Sequence, residues 1–439
     1  MSIKLFRKII FGAALVLSCN VVSAQDGAYS SYSPYSVFGV GDIARQGTAY
    51  NKSMGGVGIA SRNNRFINYL NPAAVAARDT LSFMLDFSVS GEGKIYKQGD
   101  VKSASNIFNI YDFVFTVPIY KKSAFIAGIT PYSSLGYDFS HDITDPALVA
   151  SAGNINYRSN GEGSLYQLFL GGGATFWNKF SVGAQFLYYF GNMDKSTSMD
   201  FTSASYRDIY SGYNLNLHAV GGKFGVQYDQ ALAPGLYMTV GATYKTSSRL
   251  KGRVSDYKYA TISSQSDTLH YNVDTLSHGS NVKLASEYGV GIALRKGDKW
   301  RIEFDYTRSD WRNSNFDKTT GFANVGASTF STTYSQSFKA GFEIVPNRND
   351  IRYYMRRCSY RAGMYYDRDY YKLDGNTVNS YGVTLGITLP VFRWYNGISI
   401  GVDLGQRGTN TGNMIRERYA MFVVGFNIHD IWFQKPKYD

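Results

Sequence analysis

Residues 81–90 read LSFMLDFSVS. Leu81, Phe83, Leu85, Phe87 and Val89 fall on one side of an extended chain, while Ser82, Asp86, Ser88 and Ser90 fall on the other. That is the period-2 signature of a β-strand with one apolar and one polar face. The pattern recurs down the chain. Phe180, Val182, Ala184 and Phe186 stand against Ser181, Gly183 and Gln185, and Ile302, Phe304 and Tyr306 stand against Arg301, Glu303 and Asp305. Tyr381, Val383, Leu385, Ile387 and Leu389 alternate with Gly382, Thr384, Gly386 and Thr388. Fourteen such segments are predicted, near 80–92, 107–119, 123–140, 163–177, 179–195, 211–229, 234–250, 282–296, 299–312, 330–346, 357–372, 378–391, 396–408 and 417–433.

Alternation alone fits a soluble sandwich as well as a barrel, and the connections favour the barrel. Residues 93–106, 141–162, 196–210, 251–281 and 313–329 read as long loops. Between them lie short turns such as Tyr120-Lys121-Lys122 and Lys296-Gly297-Asp298. This rhythm belongs to outer-membrane barrels, with long outer loops and short periplasmic turns. Residues 347–356 break it with room for about two helical turns, and Asp374-Gly375-Asn376 breaks it with a short outer hairpin. Aromatic residues near strand ends, among them Tyr120, Tyr132, Trp177, Trp300, Trp311, Trp394, Tyr395, Trp432 and Phe433, read as interfacial girdles. The expected fold is an all-β, 14-stranded antiparallel transmembrane barrel with both ends on the periplasmic side.

Composition agrees. The 439 residues include 37 Tyr, 28 Phe and 45 Gly but 9 Pro, and only 18% are charged. After the first 24 residues no apolar stretch is long enough for a transmembrane helix, and mean hydropathy is −0.24, as expected when apolar residues alternate. Residues 1–24 read as a signal peptide, with Lys4, Arg7 and Lys8, an apolar stretch from Ile9 to Leu17, and Val22-Ser23-Ala24 before the cleavage point. A lipoprotein signal using Cys19 is the alternative, disfavoured by the bulky Leu17. Cleavage takes away three positive charges and leaves +9 of the formal +12. Without a run of like charges, that basicity gives no support to nucleic-acid binding and fits acidic lipid headgroups or scattered solubilising residues. Cys358 would be the one cysteine left, so an internal disulfide is excluded.

Residues 47–74, GTAYNKSMGGVGIASRNNRFINYLNPAA, do not alternate. A barrel of fourteen strands has a lumen too wide for side chains alone to fill, and residues 25–78 are available to fill it. Gly55, Gly56 and Gly58, followed by Asn71-Pro72-Ala73, give this segment its resemblance to the N-terminal hatch of the FadL-type long-chain fatty acid transporters. In that family an Asn-Pro-Ala signature lies near the end of a hatch inside a fourteen-stranded barrel. The resemblance implies the domains 1–24 signal peptide, 25–78 hatch, 79–434 barrel and 435–439 periplasmic tail. It also implies an inward kink in the third strand that opens the barrel wall. Pro131, followed by Tyr132 and Ser133, stands where this sequence would make one, because proline cannot donate to a ladder. The ending Trp432-Phe433-Gln434-Lys435-Pro436-Lys437-Tyr438-Asp439 is similar to barrels of Bacteroidota-type bacteria, where FadL-like proteins also serve secretion or barrel-assembly machines.

Chemistry is sparse. The five histidines, His141, His218, His270, His278 and His429, show no metal-ligand spacing, and no catalytic constellation is evident. Neither a metal, a cofactor nor an enzymatic activity is expected. Gly55-Gly56-Val57-Gly58 follows no strand and fails as a nucleotide loop. The switch of apolar parity from Leu215, Leu217 and Ala219 to Phe224, Val226 and Tyr228, across Gly221-Gly222, predicts a bulge. Arg301, Glu303 and Asp305, with Glu287 and Arg295 on the preceding strand, form an expected lumenal charge cluster. Cys358 shares parity with Tyr360 and Met364 and is expected to face lipid. The expected function is passive uptake of hydrophobic, fatty acid-like compounds by a monomeric barrel set in outer-membrane lipid and lipopolysaccharide, with lateral release at the kink. The alternative is a non-transporting accessory subunit that docks other outer-membrane proteins.

Overall fold

The computed structural model describes residues 31–77, 82–203, 205–262, 265–276, 281–323, 329–391, 396–411 and 414–431. The expected signal peptide, Cys19, Trp394, Tyr395 and the tail from Trp432 lie outside these residues. Fourteen antiparallel strands close into one barrel. They are β1 (Ser82–Gln98), β2 (Val101–Tyr120), β3 (Ser123–Ile143), β4 (Ile155–Phe176), β5 (Phe180–Phe201) and β6 (Asp208–Ala233). β7 runs in pieces through Leu236–Lys245, Ser248–Arg249 and Lys251–Ile262, and β8 returns through Gln265–Thr275, Lys283–Leu284 and Glu287–Lys296. Then follow β9 (Trp300–Asp310), β10 (Phe330–Thr332 and Tyr334–Ile344), β11 (Ser359–Leu373), β12 (Asn376–Pro390), β13 (Gly397–Arg407) and β14 (Arg416–Ile431). Closure comes from β1 pairing with β14, from Ser82↔Ile431 to Lys97↔Arg416. A wall without edges is the form a sheet must take where lipid offers no hydrogen bonds.

The pattern read from the sequence is inside-out relative to a soluble protein. Phe186, Val290, Phe304, Leu385 and Phe422 are exposed on the outer wall, while Gln185, Gln227, Glu303, Thr384 and Asp403 are buried inside. β6, at 26 residues, far exceeds the roughly 10 residues that cross a bilayer, so the strands project beyond it.

This projection corrects the loop expectations. Residues 93–106 are the tip of a β1–β2 hairpin that stays paired to Gln98↔Val101, and Lys251–Ile262 and Gln265–Thr275 continue β7 and β8 up to Ile262↔Gln265. Above the membrane both faces meet water, so the strands lose their one-sided pattern there and read as loops. Residues 141–162 hold one short helix, α2 (Pro146–Ala152), begun by Asp145 accepting a hydrogen bond from the Ala147 amide. The 347–356 link holds a single turn, α3 (Tyr354–Arg357), rather than two.

The parity switch at Gly221-Gly222 is no bulge, because β5 and β6 stay in unbroken register from Phe180↔Tyr228 to Met199↔Ile209. What changes is which face is greasy. Leu215, Leu217 and Ala219 point into an apolar core, whereas Phe224, Val226 and Tyr228 point outward. Trp311 and Tyr132, expected at the interface, are buried in the same core. Cys358 does not face lipid either. It is fully buried beside α3, with Sγ 3.7 Å from the Tyr354 carbonyl, because it precedes the first residue of β11.

Residues 31–77 run inside the wall. They come within contact distance of inward glycines on strand after strand, mostly through their backbone. A Cβ on Gly183 would sit 2.3 Å from the Pro72 carbonyl carbon, on Gly241 2.3 Å from the Ile59 oxygen, on Gly363 2.2 Å from the Gly55 nitrogen, and on Gly386 2.3 Å from the Ser53 Cβ. Several of these glycines face one another across the ladder, as Gly173↔Gly183, Gly241↔Gly291, Gly341↔Gly363 and Gly386↔Gly401 do. Gly183→Val forces backbone against backbone. Overpacking of that kind costs about 1–3 kcal/mol, so the denaturant midpoint should fall while an outward Val182→Ile change leaves it near wild type.

Candidate functional site: the filled lumen and the seam between β2 and β3

The N-terminal segment is irregular, and its backbone groups find partners through asparagines, which both donate and accept. Thr48 begins α1 (Ala49–Lys52), where Asn51 Oδ1 accepts from the Thr48 amide at 3.2 Å and Nδ2 donates to the Val57 carbonyl at 2.8 Å. Asn68 Nδ2 donates to the carbonyls of Gly58 (2.6 Å) and Ser61 (3.1 Å). Asn71 does the same work lower down, with Nδ2 donating to the Ile59 carbonyl at 2.7 Å and Oδ1 accepting from the Ala73 amide at 3.0 Å. Pro72 and Ala73 open a 3₁₀ helix (Pro72–Ala77) seated on Gly173 and Gly183. Gly55 and Gly56 have φ of +73° and +78°, a left-handed turn suited to glycine. The Gly55 amide donates to Thr384 Oγ1 at 2.8 Å. The Gly58 and Ile59 amides both donate to Asp305 Oδ2, at 2.6 and 2.9 Å.

The lumenal charges divide among four places rather than forming one cluster. Asp305 holds the glycine turn. Arg301 lies 3.4 Å from Glu303 and 3.4 Å from Glu343. Arg295 makes a two-pronged contact with Asp229 at 2.7 and 2.8 Å, while Glu287 pairs with Lys245 at 3.4 Å.

Sequence reading missed the main ionic anchor. Arg407 on β13 meets Asp42 (2.7 Å), Asp369 (2.8 Å) and Glu417 (3.9 Å), donates to Tyr371 at 3.0 Å, and lies over the Tyr35 ring. Arg45 pairs with Asp403 at 2.9 Å, four residues before Arg407 on the same strand face. That shared inward parity of Asp403 and Arg407 was the available signal; the partners some 360 residues away in the chain were not. Above this anchor the outer half of the lumen is an apolar core. Tyr35, Phe38 and Val40 pack with Leu135, Tyr189 and Leu217 of the wall and with Trp311, Phe316 and Phe322 of the loop after β9. That loop turns inward, and its Phe322 carbonyl accepts from the Gly39 amide at 3.1 Å.

Pro131, Tyr132 and Ser133 lie together at a break in β3. The β3–β4 register shifts between Pro131 and Ser133, which leaves Tyr132 as the extra residue. The β2–β3 ladder ends at Phe113↔Ile129, two residues before the proline. Beyond that point the wall has a seam. The edge of β3 is taken by the N-terminal segment, with Ile43↔Ser133 and Asp42↔Ser134 paired and the Ala44 amide donating to the Tyr132 carbonyl at 2.9 Å. A cavity of about 350 Å³ lies behind the seam, bounded by Ile110 and Pro131 at the wall and by Lys52, Lys223, Lys245 and Lys339 within.

Lys52 is buried with its Nζ 2.8 Å from the centre of the Tyr111 ring. Burial pushes its amine from 10.5 down to about 7, against the pull of Asp112. The unfolded chain therefore binds more protons between these values, and stability rises as pH rises from 7 to 10.5. The unfolding midpoint in urea should climb across that window, and Lys52→Met should remove the Lys52 share of the climb. Arg407→Met leaves three carboxylates without their cation. Breaking a buried network this way costs about 3–5 kcal/mol, and residues 31–44 should become the first site of protease cleavage. Adding Asp369→Asn should return part of the loss.

A family model described as BamG matches residues 5–439. The chain belongs to the BamG family. No curated protein matches it by sequence. Among solved structures, the toluene transporter TbuX of Ralstonia pickettii aligns over 87% of this chain and 98% of its own, at 13% identity and a TM-score of 0.56. The CymD monoaromatic hydrocarbon channel aligns over 90% and 98%, with 13% identity and a TM-score of 0.54. A Pseudomonas aeruginosa FadL homologue aligns over 90% and 100%, with 13% identity and a TM-score of 0.52. At such identities the likeness is one of fold, and this BamG-family chain has the barrel of the FadL-type channels.

Proposed function

We propose that this BamG-family protein is a sealed outer-membrane barrel acting as an accessory subunit of an outer-membrane secretion or barrel-assembly machine, with residues 25–78 as a hatch that stays seated. The observation that carries this reading is the filling of the lumen. An apolar core occupies its outer half, and the Arg407 and Arg45 ion pairs tie the N-terminal segment to β11, β13 and β14. A solute crossing the barrel would have to displace both. On this reading the outer wall and the projecting hairpins are the working surfaces, and the partner is another outer-membrane protein.

A second reading, uptake of hydrophobic compounds with lateral release, is favoured by one observation: the cavity behind the seam reaches the outer wall beside Pro131. The similarity to the toluene transporter TbuX and to the monoaromatic hydrocarbon channel CymD lends it support.

Purification in mild detergent and reconstitution into liposomes separate the two. The first reading expects a stoichiometric protein partner and no uptake of toluene or oleate above empty liposomes. Saturable uptake by the protein alone, reduced severalfold by Pro131→Ala in a barrel that still folds, would replace it with the second.

A further inference from the structure

At the periplasmic mouth of the lumen, beneath α3, lies a cavity of about 230 Å³. Arg65 and Phe66 of the N-terminal segment, Arg348 and Arg357 of the β10–β11 link, and Thr388 and Asn396 near the β12–β13 turn bound it. Three of its described lining residues are arginines and none is a carboxylate. A fourth guanidinium stands just behind. Arg361 is 3% exposed, donates to Thr388 Oγ1, and lies 4.6 and 5.6 Å from the ring centres of Tyr50 and Phe66.

The local charges do not balance. Asp298 serves both Arg65 (2.8 Å) and Arg348 (3.9 Å), Glu343 is paired with Arg301 at 3.4 Å while also attracting Arg348 and Arg361, and among the described residues neither Arg357 nor Arg361 has an ion pair of its own. Nε and Nη1 of Arg361 and the Nε atoms of Arg348 and Arg357 are buried without a hydrogen-bond acceptor among the described residues. Buried charged donors left unmet are costly, and water would satisfy the hydrogen bonds but not the charge. An oxyanion satisfies both. Guanidinium forks match the paired oxygens of a phosphate. The cavity also lies where strands end, its lining includes the exposed Val391, and the link that carries Arg348 and Arg357 exposes Ile351 and Met355, apolar side chains that suit the glycerol and acyl portion of a lipid.

We propose that this arginine-lined cavity binds a phosphate group, carried by an anionic phospholipid of the inner leaflet or free in the periplasm. The inference rests on neither reading of the protein's function.

Native mass spectrometry of the full chain in detergent, titrated with phosphatidylglycerol and with diacylglycerol, tests it, alongside calorimetry with inorganic phosphate. Phosphatidylglycerol should be retained and diacylglycerol not. Arg357→Gln, on the link outside the barrel wall, should weaken phosphatidylglycerol binding about tenfold, the loss of roughly one charged hydrogen bond, with the heat-modifiability of the barrel unchanged. Arginine-dependent binding of inorganic phosphate without the lipid would uphold the site and name the free ion as its source. Equal phosphatidylglycerol affinity in wild type and Arg357→Gln would overturn the proposal. So would binding of a hexaglutamate peptide where neither phosphate source binds.

Discussion

The structure depends on how closely one polypeptide backbone can approach the inside of a barrel wall. Fourteen strands leave a lumen that must be filled, and part of the filling here is main chain. Main chain reaches wall main chain only where the wall lacks Cβ atoms. Gly173 and Gly183 under Pro72, Gly241 and Gly291 beside Ile59, Gly341 and Gly363 beside Met54 and Gly55, and Gly386 and Gly401 beside Ser53 supply that clearance. Glycine inside a strand is unfavourable by itself, so rows of it at matching register mark a seat rather than weak sheet.

Close approach brings a second requirement. An irregular backbone buried in a lumen has amides and carbonyls that no ladder meets. Asn51, Asn68 and Asn71 meet those within the segment, and Asp305, Thr384 and Gln227 meet those turned to the wall. The polar interior is therefore specific to this segment. Arg407 and Arg45 add ionic ties at the level where the chain passes from the polar half of the lumen to the apolar half.

Much of this was legible from residue order. Strand number and direction followed from alternation, because lipid outside and a polar lumen inside impose opposite faces on residues 82–90 and on much of the later strands. Asn71-Pro72-Ala73 lies where a 3₁₀ helix begins against Gly173 and Gly183. Three things were not legible, each for a physical reason. Strand ends above the membrane, such as residues 99–106, meet water on both sides and carry no face preference. Leu215, Leu217 and Ala219 mimicked a bulge because the lumen itself turns apolar at their depth. The pairings of Arg407 with Asp42 and Asp369 join distant parts of the chain through closure, which no local spacing encodes.

The seam and the seal are one feature. Pro131 ends the reach of β2, and a freed strand edge at that depth needs new partners. Asp42 and Ile43 provide them by pairing with Ser134 and Ser133. Asp42 is also the residue held by Arg407. Opening the wall at the kink therefore means withdrawing Asp42 at once from a strand edge and from an ion pair. It would leave β3 unpaired, Arg407 short of a carboxylate, and the Tyr35–Phe38 core without its floor. These losses fall together, because one short stretch of the N-terminal segment completes both the strand edge and the ion pair.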